Sequence, residues 1–203
     1  MLGDMGVFAF YPNKQITTGE GGMVVTNRDD WGALIRALCN QGRAPGDTWL
    51  EHTHLGYNYR LDEMSAALGR VQMGRLDELL AKRDRVAEWY QEQLAEIQGI
   101  ELPYVHPDTT RMSWFVYVIR LEATIDRQRV MERLAEDGIP GRPYFTSIHL
   151  QPYFTERFGY QPGDFPVTED LSRRSLALPF SGVMSESEVE RVCQSLQRAI
   201  LGT

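Results

Sequence analysis

The hydrophobic pattern in the first part of the chain predicts a short hairpin followed by an amphipathic helix. Residues 7–11 and 23–26 are apolar runs separated by a polar turn, as in two strands joined by a loop. Apolar residues then recur at helical spacing, and we expect Asn27 to cap this helix and Gly42 to end it. Four side chains on the apolar stripe are predicted to lie in the core: Trp31, Leu34, Ile35 and Leu38.

A long helical pattern occupies the middle of the chain. Apolar positions continue at helical spacing across residues 61–97, which exceeds the usual helix length, so a kink or break is predicted near Gly69–Gly74. The preceding loop, residues 43–60, is rich in aromatic residues, and a loop of this length favours a functional role. It also contains two histidines, but no further ligand is suitably spaced, so no metal is expected.

A smaller α/β arrangement is predicted after Gly99. Three segments are strand candidates, and the two prolines of the second indicate a sheet edge: residues 113–121, 139–145 and 177–180. Three segments are helix candidates: residues 126–136, 168–175 and 185–201. The last begins with Ser185 and Glu188 in capping-box spacing. Residues 142–153 are predicted to form a loop rich in aromatic side chains that also contains His149.

The composition is that of an ordinary globular protein, with 42% hydrophobic and 24% charged residues among 203. A net charge of −7 argues against a nucleic-acid-binding surface. No apolar run is long enough to span a membrane, and the first residues lack the basic and apolar parts of a secretion signal. We expect Cys39 and Cys193 to be reduced, as in a cytoplasmic protein.

Lys14 is the first candidate for chemistry. It lies on the predicted hairpin turn and is followed by Gly19, Gly21 and Gly22, where a backbone without Cβ atoms can approach a ligand closely. Lys82 is the only other lysine in the sequence. A lone hairpin lysine is most often a solvated surface residue. An amine held between aromatic residues and tight turns can instead be desolvated, which lowers its pKa and allows it to form a Schiff base with a carbonyl.

Several motifs together resemble those of a known enzyme family and cover nearly the whole chain. They comprise residues 8–14 (Phe-Ala-Phe-Tyr-Pro-Asn-Lys), 17–26, 55–69, 142–145, 149–153 and 175–180. The segment around Lys14 is specific, and the segment around Asn58 is nearly so. With these motifs the chain resembles the DegT/StrS-type nucleotide-sugar aminotransferases, which are fold-type I pyridoxal phosphate (PLP) enzymes.

The resemblance implies an α/β fold that forms the C-terminal part of a fold-type I transferase. Residues 1–60 would be a remnant of the large PLP-binding domain, residues 61–98 a bridging helix or helices, and residues 99–203 a small α/β domain. The family's upstream portion supplies a phosphate-binding helix end, a ring-stacking residue and an aspartate for the pyridinium nitrogen. We expect the sequence to be a natural truncation, a gene with a misassigned start, or one piece of a split protein.

The resemblance also implies roles for individual residues. Lys14 would bind PLP covalently, and Asn58 would reach across a homodimer to the cofactor phosphate of the other subunit. Arg60 would contribute to an anion site for a diphosphate or carboxylate, and Tyr144 and His149 are further substrate-side candidates. Each has a structural alternative: a turn residue for Asn58, a surface residue for Arg60, and for His149 a loop residue that bonds a backbone carbonyl.

The reaction implied by the resemblance transfers an amino group, with glutamate as the expected donor, to a keto group on a nucleotide-linked sugar. Such a reaction would serve sugar or polysaccharide biosynthesis. The two other classes considered are a non-catalytic remnant or interaction subunit, and a phosphate-binding module at residues 18–22. The second lacks the GxxxxGK[ST] pattern.

One position departs from the family pattern. Many relatives carry a serine five residues before the lysine, and its hydroxyl helps to hold the cofactor phosphate. This chain has Ala9 there. The loss of that donor would weaken cofactor binding by ~1 kcal/mol unless another group replaces it.

Overall fold

The computed structural model describes residues 3–202 and divides the chain into two compact units, one ending at Asp77 and the other beginning at Glu78. This boundary falls inside the segment expected to bridge the domains. The three-part division into residues 1–60, 61–98 and 99–203 stays a prediction. Both α-helices and β-strands are present, as expected from the hydrophobic pattern.

The first unit begins with an antiparallel hairpin. Strand β1 (Met5–Ala9) pairs with β2 (Gly22–Thr26), with Met5 opposite Thr26 and Ala9 opposite Gly22. Helix α1 (Asp29–Cys39) follows and packs against β2. Its N-cap is Arg28 and not the predicted Asn27, and the acidic side chains of the first turn suit the positive end of the helix dipole.

The apolar stripe of α1 is not the core that the sequence predicts. Leu34 and Leu38 are 41% and 36% exposed, whereas Trp31 and Ile35 are half-buried. Among the described residues of α1, Ala37 alone is buried. The prediction was wrong because helical spacing identifies an apolar face but not whether the same chain covers it.

The long helical pattern is broken, as predicted. Helix α2 (Glu63–Gly74) starts at Asp62, whose carboxylate accepts a hydrogen bond from the Ser65 amide, and ends at Gly74. Helix α3 (Leu76–Leu94) then begins after Arg75 and belongs almost wholly to the second unit. The break within the predicted 61–97 segment is therefore confirmed.

The second unit is built on a four-stranded antiparallel sheet. In spatial order its strands are β3 (Ile100–Glu101), β4 (Tyr117–Leu121), β6 (Ser175–Leu178) and β5 (Arg142–Pro143). The edge position predicted for the proline-containing strand is confirmed. Strand β4 begins at Tyr117 and not at Ser113, so the aromatic residues before it lie in irregular structure.

Four further α-helices of the described chain belong to this unit. They are α4 (Arg127–Glu136), α5 (Pro152–Phe158), α6 (Pro166–Arg174) and α7 (Glu186–Leu201). The capping box of Ser185 and Glu188 is formed at the start of α7. The predicted loop over residues 142–153 is wrong in part, because it contains a 3₁₀ turn at Ile148–Leu150 and the start of α5. Proline at the first position of α5 and α6 is compatible with a helix start.

The core of the second unit lies between α3, α4, α7 and the two central strands. Tyr90 and Tyr117 are fully buried and their rings stack at a centroid separation of 4.7 Å. Cys193 is buried beside them, and both cysteines of the chain are free thiols, as expected. None of the described helices is long and apolar enough to cross a membrane.

Tyr90 provides a test of this core. Its hydroxyl donates a 2.6 Å hydrogen bond to the Pro179 carbonyl, and burial raises the pKa of the phenol. We predict that Tyr90→Phe lowers the free energy of unfolding by about 1–3 kcal/mol, because the carbonyl loses its partner while the ring is kept. Urea unfolding should show this, whereas Tyr104→Phe at a 78% exposed position should change stability by less than about 0.5 kcal/mol. Equal midpoints for the two variants would contradict the prediction.

Candidate functional site

Lys14 lies on the connection between β1 and β2, which main-chain hydrogen bonds hold in one conformation. The Phe10 amide donates to the Gly21 carbonyl at 2.9 Å, and the Thr18 amide donates to the Phe10 carbonyl at 3.1 Å. Lys14 itself donates its amide to Tyr11 at 3.0 Å, and its side chain is half-buried. The backbone of the lysine is therefore fixed on a closed turn.

Gly21 is required by the shape of this turn. Its φ is +145°, and a Cβ atom there would lie 2.6 Å from Thr18 Oγ1 and 3.0 Å from a Leu61 methyl group. Thr18 is only 6% exposed and donates its hydroxyl to the Glu20 carbonyl at 2.6 Å. The tight glycine turn expected from the sequence is thus present, and it packs closely on Thr18 and Leu61 at Gly21 while residues 19–22 remain exposed.

The residues 18–22 do not have the context of a nucleotide-phosphate loop. They lead into β2, whereas a phosphate-binding loop of that type leads into a helix. Ala9 ends β1 opposite Gly22 and has no hydroxyl to offer to a phosphate. The phosphate-module alternative therefore has no support from the local fold.

Asn58 belongs to a segment that is docked on the C-terminal end of α1. The Tyr57 amide donates to the Leu38 carbonyl at 2.7 Å, and the Tyr59 amide donates to the Cys39 carbonyl at 2.9 Å. Asn58 forms an isolated antiparallel bridge with Asn40. These contacts satisfy carbonyls that the end of a helix would otherwise leave unpaired. They also hold Asn58 in place while its side chain stays exposed.

Two glycines make this docking possible. Gly42, with φ of +85°, would place a Cβ atom 1.7 Å from the His54 carbonyl oxygen, and a Cβ at Gly56 would lie 2.3 Å from the Gly42 nitrogen. The two backbones can approach each other this closely only because neither residue has a side chain. Gly42 was predicted to end α1, but the helix ends at Cys39 with Asn40 as its C-cap, and Gly42 instead allows this close approach.

Arg60 lies beside Asn58, as the motif suggests. Its guanidinium donates a 2.7 Å hydrogen bond to the Asn40 side chain, and Arg60 is exposed. Asn40 therefore contacts both candidates, through its backbone for Asn58 and through its amide oxygen for Arg60. Lys14 lies on a separate loop of the same unit. Within residues 3–202, no cluster of three or more His, Cys, Asp or Glu side chains could hold a metal ion.

Tyr144 and His149 line one cleft in the second unit. The cleft has a volume of about 480 Å³, and five of its twelve lining residues are tyrosine or phenylalanine. The Tyr144 and Phe145 rings stack at 4.4 Å, and Phe165 lies 4.7 Å from the His149 ring. The two substrate-side candidates, five residues apart in sequence, are thus brought to a single concave surface.

His149 is buried and paired with a carboxylate. It is 8% exposed, and its Nε2 lies 3.1 Å from Glu169 Oε1. The alternative considered from the sequence, in which His149 bonds a backbone carbonyl, is wrong for Nε2, because this nitrogen contacts the Glu169 carboxylate. Glu169 also accepts from the Gly163 amide at 2.9 Å, and this bond, together with the one from His149, lowers the pKa of the carboxyl.

Glu169 was not identified from the sequence. The signal was weak because the residue lies inside α6, 20 positions from His149, among other acidic and basic residues. The two side chains meet because the 3₁₀ turn at Ile148–Leu150 and α6 both border the cleft.

The sequence family follows from comparison with known proteins. Residues 1–197 match the model of the DegT/DnrJ/EryC1/StrS aminotransferase family. The chain belongs to this family. Aminotransferases of the family depend on PLP. The resemblance inferred from the motifs around Lys14 and Asn58 is therefore confirmed.

Curated relatives match this family member over nearly its whole length. GDP-perosamine synthase of Caulobacter vibrioides is 34% identical over 98% of the chain and 53% of its own length. The spore coat polysaccharide biosynthesis protein SpsC of Bacillus subtilis is 31% identical over 99% of the chain and 55% of its own length. The chain thus spans about half the length of the curated relatives it matches.

Solved structures have the same fold, and the chain again matches about half of their length. The aminotransferase TlmJ of Streptoalloteichus hindustanus is 27% identical with a TM-score of 0.89, over 100% of this chain and 53% of its own. DesV of S. venezuelae is 30% identical with a TM-score of 0.86, over 97% and 52%. The predicted fold class, α/β as in the C-terminal part of a fold-type I PLP transferase, is confirmed.

The docking of the Asn58 segment can be tested at Gly42. We predict that Gly42→Ala speeds hydrogen exchange of the Tyr57 and Tyr59 amides at least about tenfold. The added Cβ atom would push the segment around Asn58 away from the end of α1 and break the hydrogen bonds that these amides donate. Gly46→Ala is the matched control. Gly46 also has positive φ, +98°, but its Cβ would meet open space. Unchanged exchange in Gly42→Ala, or equal acceleration in both variants, would show that the contact does not position Asn58.

Proposed function

We propose that the chain is the C-terminal part of a PLP-dependent aminotransferase that aminates a nucleotide-linked keto sugar, with glutamate as amino donor. The observation that carries the proposal is Lys14, held on a closed and glycine-dependent turn in a chain of this family. The names of relatives, including GDP-perosamine synthase and SpsC, support a place in sugar or polysaccharide biosynthesis, which we expect in the cytoplasm.

The described residues fit part of a PLP site. Lys14 supplies an amine on a turn whose glycines leave the neighbouring backbone open to a ligand, and Asn58 supplies an exposed amide. An amide can donate to a phosphate without adding charge. Ala9 supplies no donor, so the phosphate would need donors beyond this turn. We therefore assign Lys14 and Asn58 as the cofactor-binding residues of this chain.

PLP, when bound, supplies the electron sink for removing and adding an amino group. The role we propose for Lys14 Nζ is to hold the cofactor and, once released from it, to move the proton at the substrate carbon as a general acid and base. The rigid turn serves this role because proton transfer requires the amine to return to the same position.

Tyr144, His149 and Arg60 are the proposed substrate-side residues. Tyr144 and His149 line an aromatic cleft in which a ring can stack, and His149 adds a polar atom to its wall. Arg60 is exposed and held by Asn40, so its guanidinium is oriented and still has donors for a diphosphate or carboxylate.

A homodimer is the proposed assembly, because Asn58 can serve a partner's site only if two chains meet. Its neighbours favour this arrangement. Leu55 is 88% exposed, Tyr59 is 70% exposed and Trp49 is 81% exposed, so the docked segment presents a large apolar surface. A second copy of the chain would bury it.

The two lysines of the chain give a direct test of the cofactor proposal. We predict that PLP added to the purified chain gives an absorption band that borohydride fixes covalently, and that peptide mapping finds the label on Lys14 at least about tenfold over Lys82. Lys14→Ala should lose the band. Lys82→Ala should keep it, because Lys82 lies on α3 and pairs with Glu78 at 2.7 Å.

Other outcomes of this experiment separate the alternatives. Equal labelling of the two lysines, or a band unchanged in Lys14→Ala, would contradict a specific site and favour a non-catalytic interaction subunit. Lys14→Arg adds a further control, because it keeps the positive charge and removes the nucleophilic amine. It should behave like Lys14→Ala.

The assembly is tested by light scattering after size exclusion. We predict a mass twice that of a single chain, and a shift towards the monomer in Leu55→Asp, because a charge would then be buried in the apolar interface. Val183→Asp, at an 85% exposed position in the second unit, is the control and should leave the mass unchanged. A monomeric wild-type chain would contradict the homodimer.

A further inference from the structure

The carboxylate of Glu169 is surrounded by hydrogen-bond donors. The Gly163 amide donates to both of its oxygens, at 2.9 and 3.0 Å, and the Phe165 amide donates at 3.3 Å. A backbone amide can only donate, so these bonds favour an ionised carboxylate that acts solely as acceptor. The lowered pKa of Glu169 agrees with this charge state.

His149 must then donate to Glu169. Its Nε2 lies 3.1 Å from Oε1, and an ionised carboxylate has no proton to give, so the hydrogen between the two atoms belongs to the imidazole. A neutral imidazole carries one proton. When it is held on Nε2, Nδ1 is left with a lone pair and is an acceptor.

The ring has little freedom to turn away from this arrangement. Phe165 lies 4.7 Å from its centroid and Tyr160 meets it edge-on at 6.2 Å. His149 is 8% exposed, and the carboxylate that holds it is itself fixed by the segment before α6. Packing therefore sets the plane of the ring, and the hydrogen bond sets which nitrogen carries the proton.

The second ring nitrogen is open. The imidazole of His149 makes no other hydrogen bond within residues 3–202 than the one to Glu169. Within residues 3–202, the only fully buried side-chain nitrogen or oxygen without a hydrogen-bond partner is Arg43 Nε, so His149 Nδ1 is not such an atom. Nδ1 is thus unpaired without being sealed off from solvent, and it belongs to a ring on the wall of the aromatic cleft.

We propose that Glu169 is a positioning residue for His149, which it holds in the Nε2–H form so that Nδ1 accepts a hydrogen bond from a hydroxyl or N–H group of a ring bound in the cleft. Glu169 does not touch the ligand in this arrangement and acts through the imidazole. The tautomer is a property of the chain alone. The hydrogen bond proposed between Nδ1 and a bound ligand rests on the proposed function, since a nucleotide-linked sugar carries both a ring and such donors.

The tautomer is tested by long-range proton–nitrogen NMR of the imidazole without ligand, at about pH 8, where imidazoles are generally neutral. We expect a single Nε2–H form and a slowly exchanging Nε2 proton in the wild type. Glu169→Ala should show both tautomers. Glu169→Gln should retain the wild-type form, because an amide oxygen at the Oε1 position can still accept from His149 and from the backbone. A mixed or Nδ1–H form in the wild type overturns the proposal, whatever the variants show.

The proposed contact between His149 and a ligand in the cleft is tested by calorimetric titration of the chain with GDP-mannose as probe. Glu169→Ala should weaken binding about fivefold to tenfold, and Glu169→Gln should restore it to near the wild-type value. Glu156→Ala, an exposed change on the neighbouring helix α5, should have no effect. Equal affinity of wild type and Glu169→Ala overturns the positioning role. No binding by any form, with the expected tautomer, contradicts the proposed substrate and leaves the positioning of His149 supported.

Discussion

The main-chain hydrogen bonds that close the β1–β2 connection are the constraint on which the candidate chemistry depends. A lysine has four rotatable side-chain bonds, so its amine can be placed reproducibly only if its backbone is held first. Here the bonds of Phe10 and Thr18 hold it, and the missing Cβ of Gly21 lets the turn pack against Thr18. The same solution recurs at Asn58, where bonds to the end of α1 and the contact of Gly42 with Gly56 fix a side chain that remains exposed. Both sites are thus positioned by backbone and not by side-chain packing.

In the second unit, side-chain contacts and not backbone bonds position the candidate residues. Its cleft is bordered by aromatic rings, and the hydrogen-bonded pair of His149 and Glu169 is formed by side chains from a 3₁₀ turn and a helix. Withdrawing a carboxylate from water even in part is unfavourable unless other donors replace the water, and for Glu169 these donors are Gly163, Phe165 and His149. An apolar pair of similar volume would fill the same space without that desolvation cost. A role in presenting a polar atom to the cleft accounts for the pair better than stability alone.

Local sequence signals predicted most of the elements, because turns, caps and periodicity act over a few residues. The hairpin around Lys14, the break near Gly74 and the capping box at Ser185 follow from such signals. The features that were not predicted correctly depend on residues that are distant in sequence. The exposure of Leu34 depends on what covers α1, and the pairing of His149 with Glu169 depends on how α6 packs. The motifs identified the family and its candidate residues, whereas the partners of those residues came only from the structure.

The exposed apolar side chains of the first unit bear on how its two sites differ. Val7 is 76% exposed and Met64 is 83% exposed, whereas the second unit encloses Tyr90, Leu94 and Leu196 completely or nearly so. Burial therefore contributes less to the order of the first unit, and short-range bonds and glycine contacts contribute more. Those local contacts keep the Lys14 turn in shape whether or not its outer surface is covered. Asn58 is different, because the bonds of the docked segment hold its backbone but leave its side-chain amide exposed. Local contacts therefore position the backbones of both residues, whereas the role proposed for Asn58 depends in addition on the proposed homodimer.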